Sequence, residues 1–138
     1  MIEKAGTILI NGNKIGLVYR DNYDDYTFPK WHREEGESFL ECAIRETNEE
    51  TKREVSVLEE KEIYIDKYKD ASQNDCICYY YLCKDNGHSD NDSLEVHDLV
   101  WVEYDDVEDK LSYESLKKVW NTIKDKVKEY IEEQWKRK

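Results

Sequence analysis

The sequence predicts an α+β or three-layer domain, and the order of its elements is the basis for this fold class. Two β-rich runs stand near the N-terminus, at 5–10 and 14–20, and further strand-like runs follow residue 53. One helix is predicted at 39–51 and a long one from Ser112 to the end, where apolar residues recur at helical spacing. Strands, a helix, more strands and a final helix bury their apolar faces best in stacked layers.

The chain is strongly acidic. Its 138 residues predict one domain spanning 1–138, and it carries a formal net charge of −12. Such a surface repels the nucleic-acid backbone and anionic lipid, so we expect neither a nucleic-acid nor a membrane partner. A small anionic molecule remains compatible if divalent cations bridge it to the protein. The sequence does not indicate an oligomeric state.

The lack of a recognisable signal peptide and the spacing of the cysteines both favour a reduced, intracellular protein. No N-terminal run has the charged start and apolar core of a signal peptide, and no stretch of 18 apolar residues occurs. We therefore expect a cytoplasmic location. The spacing of the cysteines fits no common zinc site, so they are expected to be buried thiols. They are Cys42, Cys76, Cys78 and Cys83.

Individual strands follow from turn signals and alternation. Asn11-Gly12 between the first two runs is a strong hairpin signal. Alternating apolar and polar residues predict one strand over 54–68, and the runs at 76–84 and 99–104 predict two more. The polar segment at 85–92 is expected to be a loop.

The helix at 39–51 combines a clear start with an unusual charge pattern. Ser38 is a candidate N-cap, and Glu41 completes a capping box. Glu46, Glu49 and Glu50 are neighbours on one side, and like charges at this spacing repel by a few tenths of a kcal/mol per pair. The face is either solvated or supplies hard oxygen ligands to Mg²⁺ or Mn²⁺. Periodicity does not distinguish the two.

The separations of charged residues decide the interpretation. Five residues follow position 31 before Glu37, and seven more precede the run Arg45-Glu46-Thr47-Asn48-Glu49-Glu50. This arrangement resembles the box of the Nudix hydrolase family: Gly, five residues, Glu, seven residues, Arg-Glu, an aliphatic, any residue, Glu-Glu, any residue, Gly and an aliphatic. The resemblance implies an α/β/α sandwich with a mixed central sheet, in which the box helix and a long C-terminal helix flank the sheet.

The likeness extends to most of the chain. The segments "AGTILI", "FPKWHREEGES", "EVHDLVW" and "LSYESLKKV" are most similar to the subgroup that hydrolyses dinucleoside polyphosphates such as diadenosine tetraphosphate. The chain also departs from the box. Trp31 and Lys52 stand at its two glycines, and Thr47 and Arg53 stand at aliphatic places. A helix-ending glycine is commonly left-handed, so Lys52 is expected to be strained or the helix to end differently.

The resemblance implies catalytic and metal-binding roles for individual residues. Water attacks phosphorus in a pyrophosphate bridge, and Mg²⁺ or Mn²⁺ supports the reaction. Glu49 and Glu50 are the implied principal metal ligands, with Glu46 a further ligand and the Trp31 carbonyl in the place of the box glycine. Arg45 and Glu37 are expected to form an ion pair that fixes Glu46. The catalytic set is Glu46, Glu49, Glu95 and Arg45; Glu95 is either the subgroup's later acid or ordinary surface charge.

Substrate contacts are less constrained by the sequence. The resemblance makes Lys30 and His32 candidate phosphate contacts, although a solvated lysine and a packing histidine explain them equally well. Arg20 ends the second strand and is a further candidate for phosphate, and Tyr113 for a base. Together these residues predict a small nucleotide as the partner.

Three functions are compatible with these features. The first is metal-dependent hydrolysis of a pyrophosphate bond in a nucleoside polyphosphate or a nucleoside diphosphate conjugate. The second, suggested by the two replaced glycines, is a catalytically weak or inactive Nudix-fold binding or regulatory domain. The third is the removal of damaged nucleoside triphosphates. Retention of three mutually repelling glutamates favours an enzyme over an inactive domain.

Overall fold

Eight strands form one mixed sheet in the computed structural model, which describes residues 1–136. The central path runs β3-β2-β1-β7-β5, and β4, β6 and β8 pair with β1, β7 and β2. β1 and β7 are parallel, and the other pairings are antiparallel. The strands are β1 (Ile2–Asn11), β2 (Lys14–Arg20), β3 (Asp25–Thr27), β4 (Lys30–His32), β5 (Arg53–Val57), β6 (Tyr64–Lys69), β7 (Asp75–His88) and β8 (Asp98–Glu103).

Helices cover both faces of the sheet. α1 (Phe39–Thr51) packs on one face, and α3 (Glu114–Lys136) packs on the other. The period-2 alternation of the strands divides the core, because Ile8 faces the α3 side and Leu9 the α1 side. A 3₁₀ turn at Tyr104–Asp106 and the short α2 (Val107–Lys110) precede α3. The predicted layered α+β fold is confirmed.

Several local predictions are confirmed. Asn11 pairs with Lys14 across the hairpin, and Gly12 adopts φ 61°, as a tight turn at Asn-Gly requires. All four cysteines are free and buried. α1 has the predicted bounds and capping box: Glu41 N–H donates to Ser38 Oγ at 3.0 Å, and Ser38 N–H donates to a Glu41 carboxylate oxygen at 2.9 Å. Residues 137–138 of the predicted final helix lie outside the described range.

Two strand predictions were wrong in extent. The run at 54–68 is interrupted between β5 and β6, which both lie antiparallel to β7 along the same edge. The segment 58–63 bulges out opposite residues 81 and 82, because its consecutive charged residues at 59–62 do not fit an alternately buried strand. β7 also continues to His88 where a loop was expected, since Arg53 pairs with His88.

The C-terminal end of α1 is left-handed at a residue that is not glycine. Lys52 adopts φ 54° and ψ 39°, and its N–H donates to the Asn48 carbonyl at 2.9 Å. A side chain in this region carries a steric cost of about 1 kcal/mol that glycine avoids. The strained alternative anticipated for Lys52 is therefore the one that the structure adopts.

We expect Lys52→Gly to raise the free energy of unfolding by up to about 1 kcal/mol, because glycine tolerates the left-handed conformation. Thermal and urea unfolding measure the change. Lys128→Gly on the exposed side of α3 is the matched control and should lower stability by a similar amount. A loss of stability in both variants would contradict this account of the helix end.

Candidate active site

A cleft of about 700 Å³ opens beside the C-terminal half of α1. Three segments line it: the end of β4 with the residues that follow it, one side of α1, and the loop before β8. The lining residues are Trp31, His32, Arg33, Glu34, Arg45, Glu46, Asn48, Glu49, Asn91, Asp92, Ser93, Leu94 and Glu95. Residues distant in sequence thus meet over one helix end.

Three carboxylates converge in this cleft. Oxygen atoms of Glu46, Glu49 and Glu95 all lie within 4.8 Å of one another. Glu46 is 3% exposed, and its Oε2 atom is buried without a hydrogen-bond partner among the described residues. Burial raises the pKa of Glu46 to about 7, with the charges of Glu49 and Glu95 adding to the increase while Arg45 opposes it. An unpaired buried carboxylate oxygen beside two further acids calls for a cation.

Glu50 lies near Glu46, as helical spacing suggested, and is also bonded to β4. Its Oε2 accepts a hydrogen bond from the backbone N–H of Lys30 at 3.2 Å, which links α1 to β4. Burial, reinforced by Glu46, raises the pKa of Glu50 to about 8. Glu50 lines a smaller pocket of about 210 Å³, to which Arg20, Trp31 and Glu95 also contribute. Glu95 lines both pockets, as Trp31 does, and its carboxylate meets those of Glu46 and Glu49.

Arg45 holds the acidic side chains in place. It forms a bidentate pair with Glu37, Nε–Oε2 2.9 Å and Nη2–Oε1 2.8 Å, as the resemblance implied. Nη1 donates to Glu46 Oε1 at 2.9 Å and to Glu49 at 3.1 Å. The Arg45 guanidinium holds the pKa of Glu37 down at about 2. Arg45 contacts only Oε1 of Glu46, so the buried Oε2 atom has no hydrogen-bond partner among the described residues.

The loop that carries Glu95 is bonded to the carbonyl end of α1. Ser89 N–H donates to the Lys52 carbonyl and His97 N–H to the Glu50 carbonyl, both at 2.8 Å. Asn91 Nδ2 donates to the Asn48 carbonyl at 2.8 Å. His97 thus satisfies the Glu50 carbonyl, which the helix leaves unpaired at its C-terminus, while Asn91 adds a second bond to the Asn48 carbonyl, which also accepts from Lys52 N–H. The same bonds bring Glu95 over the helix, next to Glu46 and Glu49.

Two candidate phosphate contacts, Lys30 and His32, lie on β4 in different surroundings. His32 lines the cleft, its ring stacks on Trp31 at 4.6 Å, and its carbonyl accepts from Arg45. Lys30 binds Glu50 through its backbone, while burial, with help from the charge of Lys4, lowers the pKa of its ammonium group. Lys4 lies opposite His32 where β1 pairs with β4. Burial is the main cause of the lowered pKa of His32, and the charge of Lys4 lowers it further. Lys4, Lys30 and His32 therefore lie together on β1 and β4, and burial favours the uncharged forms of Lys30 and His32.

The other two substrate candidates are joined by a residue that sequence reasoning missed. Arg20 donates to both oxygens of Asp25, Nε–Oδ1 2.8 Å and Nη2–Oδ2 2.6 Å. The Tyr113 hydroxyl also donates to Asp25, and Tyr113 is 42% exposed. Arg20 lines the smaller pocket, whereas Tyr113 lines neither of the two pockets described. Asp25 lies in a run of acidic loop residues, so its composition gave no signal of this role.

Departures from the box have structural counterparts. Thr47 is fully buried, and its hydroxyl bonds to the buried Thr7 hydroxyl of β1 at 2.7 Å. Arg53 forms a bidentate pair with Asp85 of β7, Nε–Oδ1 2.8 Å and Nη2–Oδ2 2.7 Å. Each polar residue at an aliphatic place therefore has a matching polar partner, which removes the cost of burying it alone. Trp31 has an ordinary negative φ, and its carbonyl accepts from the Cys42 thiol, Sγ–O 3.8 Å.

The donor set fits a hard divalent cation. All three converging side chains are carboxylates, which suit Mg²⁺ and Mn²⁺ better than zinc or copper. The buried, unpaired Glu46 Oε2 is the atom that a cation would satisfy. The negative end of the α1 dipole also favours positive charge here, and the last turn of α1 has no basic residue to supply it.

The layered fold and the glutamate-rich end of α1 define the class of protein as a Nudix hydrolase. The NUDIX domain model matches residues 3–123, and the chain belongs to this family. It is a pyrophosphohydrolase, since the reaction of the family is cleavage of a pyrophosphate bond in nucleotide derivatives. Within residues 1–136, no helix is both long and apolar enough to span a membrane.

Solved structures share the fold at low identity. An Ap4A hydrolase binary complex from C. elegans has a TM-score of 0.74 and 22% identity, covering 95% of this chain and 98% of its own. A NUDIX family hydrolase from Clostridium perfringens has a TM-score of 0.73 and 14% identity, covering 91% and 97%. A NUDIX hydrolase from Nitrosomonas europaea has a TM-score of 0.72 and 18% identity, covering 85% and 84%.

The metal-free protein should lose stability as pH rises from about 5 to 8. The folded-state pKa of Glu50, about 8, lies above the ordinary value of 4.5, so the folded state binds more protons than the unfolded state across this window. Glu50→Gln should reduce the loss by at least about 1.4 kcal/mol, the equivalent of one pKa unit. Thermal unfolding in EDTA across this range measures it. The control Glu54→Gln, on the exposed side of β5, should lose as much stability with rising pH as the wild type. An equal loss of stability in all three proteins would contradict the burial argument.

Proposed function

We propose that the protein hydrolyses a pyrophosphate bond in a nucleoside polyphosphate with the aid of Mg²⁺ or Mn²⁺, and that dinucleoside polyphosphates are its preferred substrates. The observation that carries the proposal is the buried Glu46 carboxylate, which has one oxygen without a hydrogen-bond partner among the described residues and lies in a cluster with the carboxylates of Glu49 and Glu95. A catalytically inactive binding domain would gain stability by replacing such an atom with an apolar group. The intact acidic cluster therefore supports an enzyme.

In this proposal the residues of α1 hold the cation. Glu46 and Glu49 supply carboxylate oxygens from adjacent positions of the helix, and Glu50 and the Trp31 carbonyl extend the ligand set toward the smaller pocket. When bound, a divalent cation polarises the phosphoryl group and lowers the pKa of coordinated water. Arg45 keeps Glu46 oriented through Oε1, and Glu37 keeps Arg45 in place.

Glu95 is the proposed acceptor of the proton from the attacking water. It lies within 4.8 Å of both helix carboxylates by its oxygen atoms, and it is exposed, so it can release that proton to solvent. Glu46, in contrast, is buried and already bonded to Arg45. The difference in exposure favours Glu95 as the base and Glu46 as a ligand.

A chain of several phosphates matches the charges near the cleft. The protein carries a net charge of −12, so attraction of a polyanion has to come from local cations. The basic side chains are Lys4 on β1, Lys30 and His32 on β4, and Arg20 in the smaller pocket. Burial lowers the pKa of Lys30 and His32, and a bound phosphate would favour their charged forms. More phosphate oxygens can engage these groups and the cation than a short diphosphate offers. The Ap4A hydrolase of similar fold supports the same substrate class.

Loss of either helix ligand should abolish turnover without unfolding the protein. We expect Glu49→Gln and Glu50→Gln each to lower kcat by a factor of about 100 or more, since each removes a charged oxygen ligand of the cation. Steady-state kinetics with Mg²⁺ and Mn²⁺ titration of the apoprotein measure the two effects. Glu54→Gln is the control and should behave as wild type. Full activity in both cleft variants would refute the metal site.

The substrate class can be tested by direct comparison. Diadenosine tetraphosphate should give a higher kcat/KM than ADP-ribose or an oxidised deoxyguanosine triphosphate at the same Mg²⁺ concentration. Lys30→Ala should reduce kcat/KM more for the tetraphosphate than for ADP-ribose, whereas Lys14→Ala, at an exposed site in β2, should affect neither. A tenfold preference for either competitor, about 1.4 kcal/mol in transition-state binding, would exclude the proposed substrate class but leave the family unchanged.

A further inference from the structure

We infer that Asn91 is a positioning residue that holds Glu95 over the end of α1, so that the base depends on this side chain for its place. The inference rests on the proposed role of Glu95. It concerns the loop between β7 and β8, from Ser89 to His97, which carries Glu95, the member of the three-carboxylate cluster that does not come from α1. The position of Glu95 therefore depends on the contacts that hold this loop.

Burial of apolar groups does not fix the loop around Glu95. Leu94 is 99% exposed and Val96 is 44% exposed, so the side chains on either side of Glu95 have little apolar contact. Residues 89–97 also contain no helix or strand in the structure. A segment without apolar anchors or a strand partner is held by its hydrogen bonds to the rest of the protein.

Asn91 makes the central bonds. Its Nδ2 donates to the Asn48 carbonyl at 2.8 Å and to the Asn48 side-chain oxygen at 2.9 Å. Its Oδ1 accepts from Ser93 N–H at 2.9 Å, and Ser93 Oγ in turn accepts from Glu95 N–H at 3.1 Å. An unbroken series of hydrogen bonds therefore runs from the last turn of α1 to the backbone of Glu95.

The partner of Asn91 is at the same helical turn as the metal-site acids. Asn48 lies between Glu46 and Glu49, and its amide donates to the Arg53 carbonyl at 3.1 Å, which fixes its orientation. Because Asn91 binds the backbone of this turn, it sets the distance between Glu95 and the helix carboxylates directly. Ser89 and His97 hold the two ends of the loop through backbone N–H groups that no side-chain substitution removes.

Two substitutions separate positioning from general stability. Asn91→Ala removes both sets of bonds. Asn91→Asp is isosteric and keeps the acceptor for Ser93, but it places an oxygen where the donor to Asn48 was. Asn86→Ala is the matched control, because Asn86 bonds to Ser56 between β7 and β5, away from the cleft.

The test is a double-mutant cycle with Glu95→Gln, read by kcat. We expect Glu95→Gln to lower kcat by about 100-fold and Asn91→Ala or Asn91→Asp by about tenfold. Adding either Asn91 substitution to Glu95→Gln should lower kcat less than twofold further, because residues that act through one another are not additive. Asn86→Ala should leave kcat unchanged in both backgrounds.

A second readout uses the protein without metal or substrate. Amide hydrogen exchange across residues 89–97 should accelerate at least tenfold in Asn91→Ala and Asn91→Asp, with exchange in β1 and β7 unchanged. Equal losses of kcat in the wild-type and Glu95→Gln backgrounds, or unchanged exchange in the loop, would overturn the positioning role. Failure of the proposed function is recognised separately, as an undiminished kcat in the Glu49→Gln and Glu95→Gln single variants.

Discussion

Negative charge concentrated at the carbonyl end of α1 is the constraint on which the arrangement of this site depends. Glu46 and Glu50 are buried on the last two turns, where the helix dipole is already negative and no basic residue of the last turn offsets it. Buried carboxylates without compensation are costly, which is the physical cause of their raised pKa values. Each neighbouring element supplies some part of the compensation.

The compensation comes from three directions. Arg45, one turn back, pairs with Glu46 and Glu49 and is itself fixed by Glu37. β4 donates its Lys30 N–H to Glu50. The loop before β8 donates to the terminal carbonyls and so removes part of the negative potential at the helix end. Among the described residues the buried Glu46 Oε2 remains unpaired, and it is the atom that a bound cation would compensate.

Polar replacements in the box show how a helix can keep its place on the sheet with different chemistry. The Thr47 hydroxyl meets that of Thr7 at the point on β1 where the pairing with β4 ends and the pairing with β2 begins. Arg53 meets Asp85 at the edge of the sheet. The first pair links α1 to β1 and the second links β5 to β7 by directional bonds, so they fix register as well as distance.

The sequence by itself determined α1, its N-cap, the N-terminal hairpin, the layered fold and the spacing of Glu37, Arg45, Glu46 and Glu49, because these depend on local hydrogen bonds and helical periodicity. It did not show the bulge at 58–63 or the extension of β7, since a strand's length is decided by its partner.

Only the tertiary structure decided that Glu95 meets Glu46 and Glu49, and that Asp25 links Arg20 to Tyr113. Contacts between residues more than 40 positions apart depend on how loops dock, and a local pattern contains no information about that. The roles of Asn48 and Asn91 were missed for the same reason: asparagine in a polar segment is typical of any loop, and its partner is visible only once the helix end is in place.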